Sequence, residues 1–283
     1  MNSMRFGRVA TPEGMSFCVI ESAAPQEADA AARDGAAQED NLICRQITGT
    51  PFTPPTFTGK EWPLEQVKLL APMLPGKVVA IGRNYADHVA EVFKKSAETL
   101  PPTLFIKPPT AVIGPGSPIK IPEFATNVEF EGELALIIGK PCKNVSAQQW
   151  RSVVLGYTVV NDVSSRDLQF SDGQWARAKG IDTFCPLGPW VETDLDAIDP
   201  TDLPIRARLT HDGVTEVKQD SNSNQMIMDL GQIIEFITAS MTLLPGDVVC
   251  TGSPAGTAEM VPGDFIEIEI PGIGKLGSPV ERA

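Results

Sequence analysis

The chain carries only two histidines in 283 residues, His88 and His211, so a histidine-rich metal site or a Ser-His-Asp triad has few candidates. Cys18, Cys44, Cys142, Cys185 and Cys250 are far apart and odd in number, and no CxxC occurs. That argues against a disulfide framework and a structural zinc site, and fits a reducing cytoplasm. Basic residues are scarce: 23 Lys and Arg stand against 36 Asp and Glu, a formal net charge of -13. Nucleic acid and anionic membrane both require a positive surface, so neither is expected as a partner. An anionic substrate must then be drawn in by a local cation. No apolar run reaches the ~18 residues of a membrane span. The stretch Met1 to Val9 holds Arg5 and Arg8 but no apolar segment, so no signal peptide is expected. GxGxxG and GxxxxGK[ST] are both missing, which removes support for dinucleotide and P-loop readings.

What remains is ordinary globular material, 42% hydrophobic and 21% charged. Residues 4–9 and 15–20 read as strands joined by a turn from Thr11 to Gly14. Residues 21–41 hold six acids and one base among many alanines and read as a solvated excursion. Residues 42–48 read as another strand, and the proline-rich 51–72 as a linker. The boundary falls near Leu69 to Leu74, giving a small N-terminal domain over 1–72 and a main domain over 73–283. In the latter, 78–82 is a buried strand and 84–100 a helical stretch ended by Pro101. Residues 104–122 alternate short strands with Pro/Gly corners. The clearest strand is 127–140, followed by a helix over 146–155, a strand over 156–164 and an amphipathic helix from Asn224 to Ala239. Short strands with tight turns and few helices predict a β-rich α+β fold.

Glu131 and Glu133 are two residues apart on a strand and share a face that turns apolar at Ala135 and Ile137. Either that face is exposed and the acids sit in water, or it is buried and a cation offsets their repulsion. Asp162, at the end of the next apolar strand, is either a turn-former or a third hard oxygen ligand, in a set suited to Mg2+ or Mn2+. Lys179, in WARAKGID, is a surface lysine or a cation that stabilises an enolate. His88 and Glu91, at i and i+3, are a solvated pair or a general base with its orienting carboxylate. The loop TGSPAG over 251–256 is a tight turn or an anion cradle that includes the Ser253 hydroxyl. His211 is given no role.

Seven stretches together resemble the fumarylacetoacetate hydrolase family: VVAIGRNYADHVAE, LFIKPPTAVIGPGSPI, EFEGELALIIGK, GYTVVNDVSSRDLQ, QWARAKGIDTFCPLGPW, LLPGDVVCTGSPAG and PGDFIEIEIPGIGKL. They run in family order from about residue 77 to 280, about 70% of the chain. The resemblance implies a mixed β-sandwich roll that usually forms homodimers, preceded by a small N-terminal β-containing domain as in some bacterial members. It implies Mg2+ or Mn2+ on Glu131, Glu133 and Asp162, the last opening a D-x-[ST]-x-R-D motif that ends at Asp167. Lys179 matches the active-site lysine, and His88 and Glu91 match a dyad on a lid segment. Arg166 and Gln169 match positions near the substrate, and Ser253 stands where threonine is common. The implied chemistry is breakage of the C3–C4 bond of a small 2-oxo acid to leave enolpyruvate, with oxaloacetate decarboxylation placed first. Acylpyruvate hydrolysis and hydroxymuconate-type isomerisation or decarboxylation remain alternatives. A non-catalytic, metal-binding sheet protein is the reading from another class.

Overall fold

The structure is a computed structural model that describes residues 4–11, 13–23, 41–196 and 198–283. The N-terminal part supplies β1 (Arg5–Thr11), β2 (Gly14–Ser22), β3 (Leu42–Thr48), β4 (Thr56–Pro63) and β5 (Lys68–Leu70). Next come β6 (Val78–Gly82), α1 (Ala86–Phe93), β7 (Thr103–Lys107), β8 (Val112–Ile113), β9 (Ile119–Ile121), β10 (Val128–Glu129) and β11 (Gly132–Ile138). The middle holds β12 (Val154–Asn161), β13 (Ser164–Ser165), α2 (Arg166–Ser171), α3 (Ala176–Lys179) and β14 (Cys185–Glu192). The chain closes with β15 (Pro204–His211), β16 (Val214–Asn222), α4 (Leu230–Ser240), β17 (Val248–Cys250), β18 (Phe265–Ile270) and β19 (Gly274–Arg282).

The large sheet runs β4-β3-β2-β1-β14-β12-β11-β17-β6-β7, with β5 on β1 and β8 on β14. A second sheet runs β16-β15-β18-β19-β9. Both are mixed: β17–β6, β14–β8 and β19–β9 are parallel and the other pairings antiparallel. Strands hold 44% of residues against 18% in helices and neither sheet closes into a barrel, so the fold is the expected β-rich roll. Its centre is β11, buried along its whole length. Leu134, Leu136 and Ile138 point into the core shared with β15, β18, β19 and α4. Ala135 and Ile137 point into a second core shared with β6, β14 and β17. A strand apolar on both faces can bury both only between two layers. The acid pair at its start is therefore carried into the interior.

Local departures from the sequence expectations have physical causes. The helix expected over 84–100 stops at Phe93, where Lys94 turns left-handed at φ 54°. Beyond it lie Lys94, Lys95 and Ser96, so no apolar face continues to support further turns. Residues 147–153 form a 3-10 rather than an α-helix. The last helix begins at Leu230, not Asn224, because Asp229 and Gln232 form a reciprocal capping box that fixes the start. The expected linker over 51–72 contains β4, paired with β3, and β5, paired with β1. Pro54 and Pro55 precede β4 and Pro63 ends it, so no ladder donor inside the strand is lost. The strand expected over 127–140 breaks at Phe130 and Glu131. Most of the acidic excursion, 24–40, lies outside the described residues. β1 joins the N-terminal strands to the main sheet, pairing Arg5 with Glu192 and Phe6 with Val191. All five cysteines are free and buried. Among the described residues no helix is long and apolar enough to cross a membrane.

Candidate active site

The break between β10 and β11 positions the first acid. There the Glu131 amide donates to the Asn161 Oδ1 at 3.0 Å, and the Asp162 amide donates back to the Glu131 carbonyl at 2.9 Å. Gly132 opposes Asn161 and Glu133 opposes Val160 across the β11–β12 ladder. This register delivers Asp162, the residue after β12, beside the two glutamates. One carboxylate oxygen from each of Glu131, Glu133 and Asp162 lies within 4.8 Å of the others. All three side chains are buried, which rejects the exposed-acid reading of the strand. Gly132 admits a close neighbour: its amide donates to the Gln219 Oε1 at 2.9 Å, a position a Cβ would crowd.

Buried carboxylates demand compensation. Lys179, at the end of α3, is 2% exposed, which rejects its surface reading. Its Nζ donates to the Glu131 Oε2 at 2.6 Å and the Asp162 Oδ2 at 2.7 Å. Lys107, ending β7, is fully buried and donates to the Asp162 Oδ1 at 2.5 Å and the Val163 carbonyl at 3.2 Å. Arg166 Nη1 lies 2.6 Å from the Glu131 Oε1 and donates to the Gln169 Oε1 at 2.8 Å, while its Nε donates to the Glu129 Oε2 at 2.8 Å. Among the described residues, Glu133 forms no ion pair; its Oε2 accepts the Gly252 amide at 2.8 Å.

His88 and Glu91 lie beside the same carboxylates. His88 is buried on α1, its Nε2 3.6 Å from the Glu131 Oε1 and its Nδ1 3.7 Å from the Glu91 Oε2. Nδ1 has no hydrogen-bond partner, so the pair is close but not yet bonded. Glu91 instead accepts the Gly256 amide at 3.2 Å and 3.0 Å on its two oxygens. The TGSPAG amides thus do cradle anions, and the anions are the carboxylates of Glu133 and Glu91. Ser253 is buried, but its hydroxyl accepts from Gln219 Nε2 at 2.9 Å and donates to the Pro254 carbonyl at 3.2 Å.

The protonation pattern follows from this wiring. Burial alone would raise Glu131, but Lys179 and Arg166 beside it hold it well below the usual carboxylate range. Glu133 is pushed well above that range by burial and by the charges of Asp162 and Glu131. Burial opposes the charge on Lys179, yet Asp162 and Glu131 raise it above an ordinary lysine. Burial pulls His88 down, and the carboxylates of Glu131 and Glu91 outweigh it to leave the imidazole raised. A buried acid held protonated by like charges marks the place where another cation would be welcome. Three converging carboxylates offer the hard oxygen donors that Mg2+ or Mn2+ favours, so the residues present fit such an ion.

Sequence reasoning missed Lys107, Glu129, Asn161 and Gln219. The signal for Asn161 lay in its place beside Asp162; the other three are brought in by long-range packing.

Residues 77–281 match the family model described as fumarylacetoacetate (FAA) hydrolase C-terminal, and residues 4–72 match Rv2993c-like, N-terminal. The chain belongs to the fumarylacetoacetate hydrolase family. It is 49% identical to Protein Rv2993c of Mycobacterium tuberculosis over 99% of this chain and 98% of that one. It is 39% identical to the mitochondrial oxaloacetate tautomerase fahd2 of Xenopus laevis over 76% of this chain and 68% of that one. The crystal structure of Cg1458 with inhibitor superposes with a TM-score of 0.92 at 74% identity, covering 99% of this chain and 100% of that one. Relatives within the family are enzymes, among them hydrolases, isomerases and tautomerases.

Proposed function

We propose that this chain cleaves a C–C bond of a small 2-oxo acid through an enolpyruvate, with Mg2+ or Mn2+ on Glu131, Glu133 and Asp162, and that oxaloacetate decarboxylation is its reaction. The observation that carries the reading is the buried carboxylate triad within 4.8 Å, with the Lys179 ammonium on two of its members. A divalent ion held there would supply Lewis acidity toward a keto oxygen. Lys179, wholly inside the protein, adds a fixed positive charge where negative charge develops as the C3–C4 bond breaks. A preorganised cation in a dry site acts more strongly than one in water. Among the described residues Arg166 Nη2 is engaged only by the Thr257 hydroxyl at 3.4 Å, which leaves a guanidinium edge for a substrate carboxylate. The Xenopus relative is described as acting on oxaloacetate, which supports the same substrate here.

One observation favours a second reading. His88 lies 3.6 Å from the Glu131 Oε1 with Glu91 3.7 Å behind its other ring nitrogen, an arrangement suited to a base, and decarboxylation has no need of one. Once deprotonated, above its raised pKa, His88 oriented by Glu91 would take a proton from water attacking the ketone of an acylpyruvate. Purified protein with Mg2+ or Mn2+ should release pyruvate from oxaloacetate faster than the metal alone. If it does not, yet cleaves acetylpyruvate, the hydrolytic reading replaces the first. Unchanged turnover in both Lys179→Ala and His88→Ala would remove both.

A further inference from the structure

Arg83 follows Gly82 at the end of β6 and leads into α1. Its φ of 65° is a left-handed conformation that a non-glycine residue rarely adopts and that tends to persist at ligand clamps. The guanidinium is half-buried and lies over two rings, 4.9 Å from the centroid of Phe93 and 5.2 Å from that of Trp175. Its Nε is buried with no hydrogen-bond partner. Among the described residues no carboxylate is paired with it, although the chain carries a net charge of -13. An unmatched cation in an acidic protein is a conspicuous expense unless an anion comes to it.

Its location says which anion. Trp175 packs on Gly82 so closely that a Cβ there would lie 2.3 Å from the indole Cζ3. The same indole takes the Lys179 ammonium 5.9 Å from its centroid, so the two cations are within about 11 Å of each other. The next residue, Asn84, donates to the Thr251 carbonyl at 2.8 Å, directly before the Gly252 whose amide holds Glu133. Arg83 therefore belongs to the wall of the carboxylate site. We propose that Arg83 selects dianionic substrates by binding the distal carboxylate of a 2-oxo diacid whose 2-oxo carboxylate end lies at Glu131, Glu133, Asp162 and Lys179. Guanidinium presents paired donors that match a carboxylate, and aromatic stacking holds its plane. The assignment rests on the proposed function only for where the 2-oxo end lies.

Calorimetry on the Mg2+-loaded protein tests it with ligands that need not turn over: oxalate, 2-oxopentanoate and 2-oxoglutarate. The last two share length and chelating end and differ in the distal carboxylate. The wild type should bind 2-oxoglutarate about tenfold more tightly than 2-oxopentanoate, the effect of one charge-assisted contact. Arg83→Met, which keeps apolar contact with the rings, should bring that ratio to about one, and Arg83→Lys should restore part of it. A ratio near one in the wild type overturns the proposal, as does a ratio that survives in Arg83→Met. Equal weakening of all three ligands also overturns it, leaving Arg83 as a latch between Phe93 and Trp175. Failure of oxalate to bind the wild type removes the 2-oxo site itself and the Arg83 assignment with it; oxalate binding without diacid preference removes only the assignment.

Discussion

Replacing Lys107 by methionine tests whether the buried charges are wired as described. Lys107 is fully buried and its partners are the Asp162 Oδ1 and the Val163 carbonyl. Breaking a buried pair by deleting one partner costs about 3–5 kcal/mol. Asp162 keeps its contact with Lys179 at 2.7 Å, so the low end applies, about 3 kcal/mol. For a chain of this size that lowers the thermal midpoint by roughly 6–10 °C. Asp162→Asn leaves the buried Lys107 with carbonyl acceptors but no counter-charge and belongs at the high end, about 5 kcal/mol. The double variant removes both members, so it should lose less than the sum of the singles by about 2–3 kcal/mol. Urea unfolding of metal-free wild type, both singles and the double would read this coupling directly. Additivity within about 0.5 kcal/mol would refute the pairing and the reasoning built on it.

Two further outcomes are expected. Burial and the charges of Asp162 and Glu131 push Glu133 well above the usual carboxylate range in the metal-free site, so Mg2+ competes there with a proton and its affinity should rise with pH through that raised range. Calorimetry in buffers of different ionisation enthalpy measures the release; Mg2+ binding with no proton released would contradict it. Lys179→Met should lower turnover by about 10²–10³-fold while Mg2+ binds at least as tightly, since an ammonium that contacts Glu131 and Asp162 competes with the ion. Weaker Mg2+ binding in that variant would show that Lys179 orients the carboxylates more than it competes for them.

The sheet core was legible because its strands carry their own period. β3 and β6 stand where their apolar runs predicted, and the parity of Glu131 and Glu133 with Ala135 and Ile137 placed both acids on one face. That parity could not tell burial from exposure, because exposure depends on what covers the face, and the residues clustered with Ala135 and Ile137, among them Ala71, Met73 and Cys185, lie far away in the chain. Lys107 was illegible for the same reason. A lone lysine at the end of LFIK looks like a solvated strand end, and its burial is created by Asp162, 55 residues away. Glu129 is likewise defined by Arg166, 37 residues away. The start of α4 is a different case: Asp229 and Gln232 have the spacing of a capping box, a local signal that the amphipathic pattern from Asn224 obscured.

Charge accounting within the site links its wiring to its ligands. Glu129, Glu131, Glu133 and Asp162 face Lys107, Lys179 and Arg166, so four carboxylates meet three cations. The deficit falls on Glu133, the one of these four without an ion pair among the described residues, and it is this carboxyl that burial and its neighbours push toward the protonated form. A monovalent ion in place of that proton would only restore neutrality. A divalent ion leaves one positive charge in excess, inside a chain whose overall charge is -13. Interior charges interact through a low effective dielectric while the distant surface acids are screened within about 10 Å, so the local excess governs what binds. Arg83, paired with no carboxylate among the described residues, would on the proposal above add a second positive charge to the same wall. On the proposed function, the metal-loaded site would therefore match a doubly charged anion better than a singly charged one, whether the bond breaks by loss of CO2 or by attack of water.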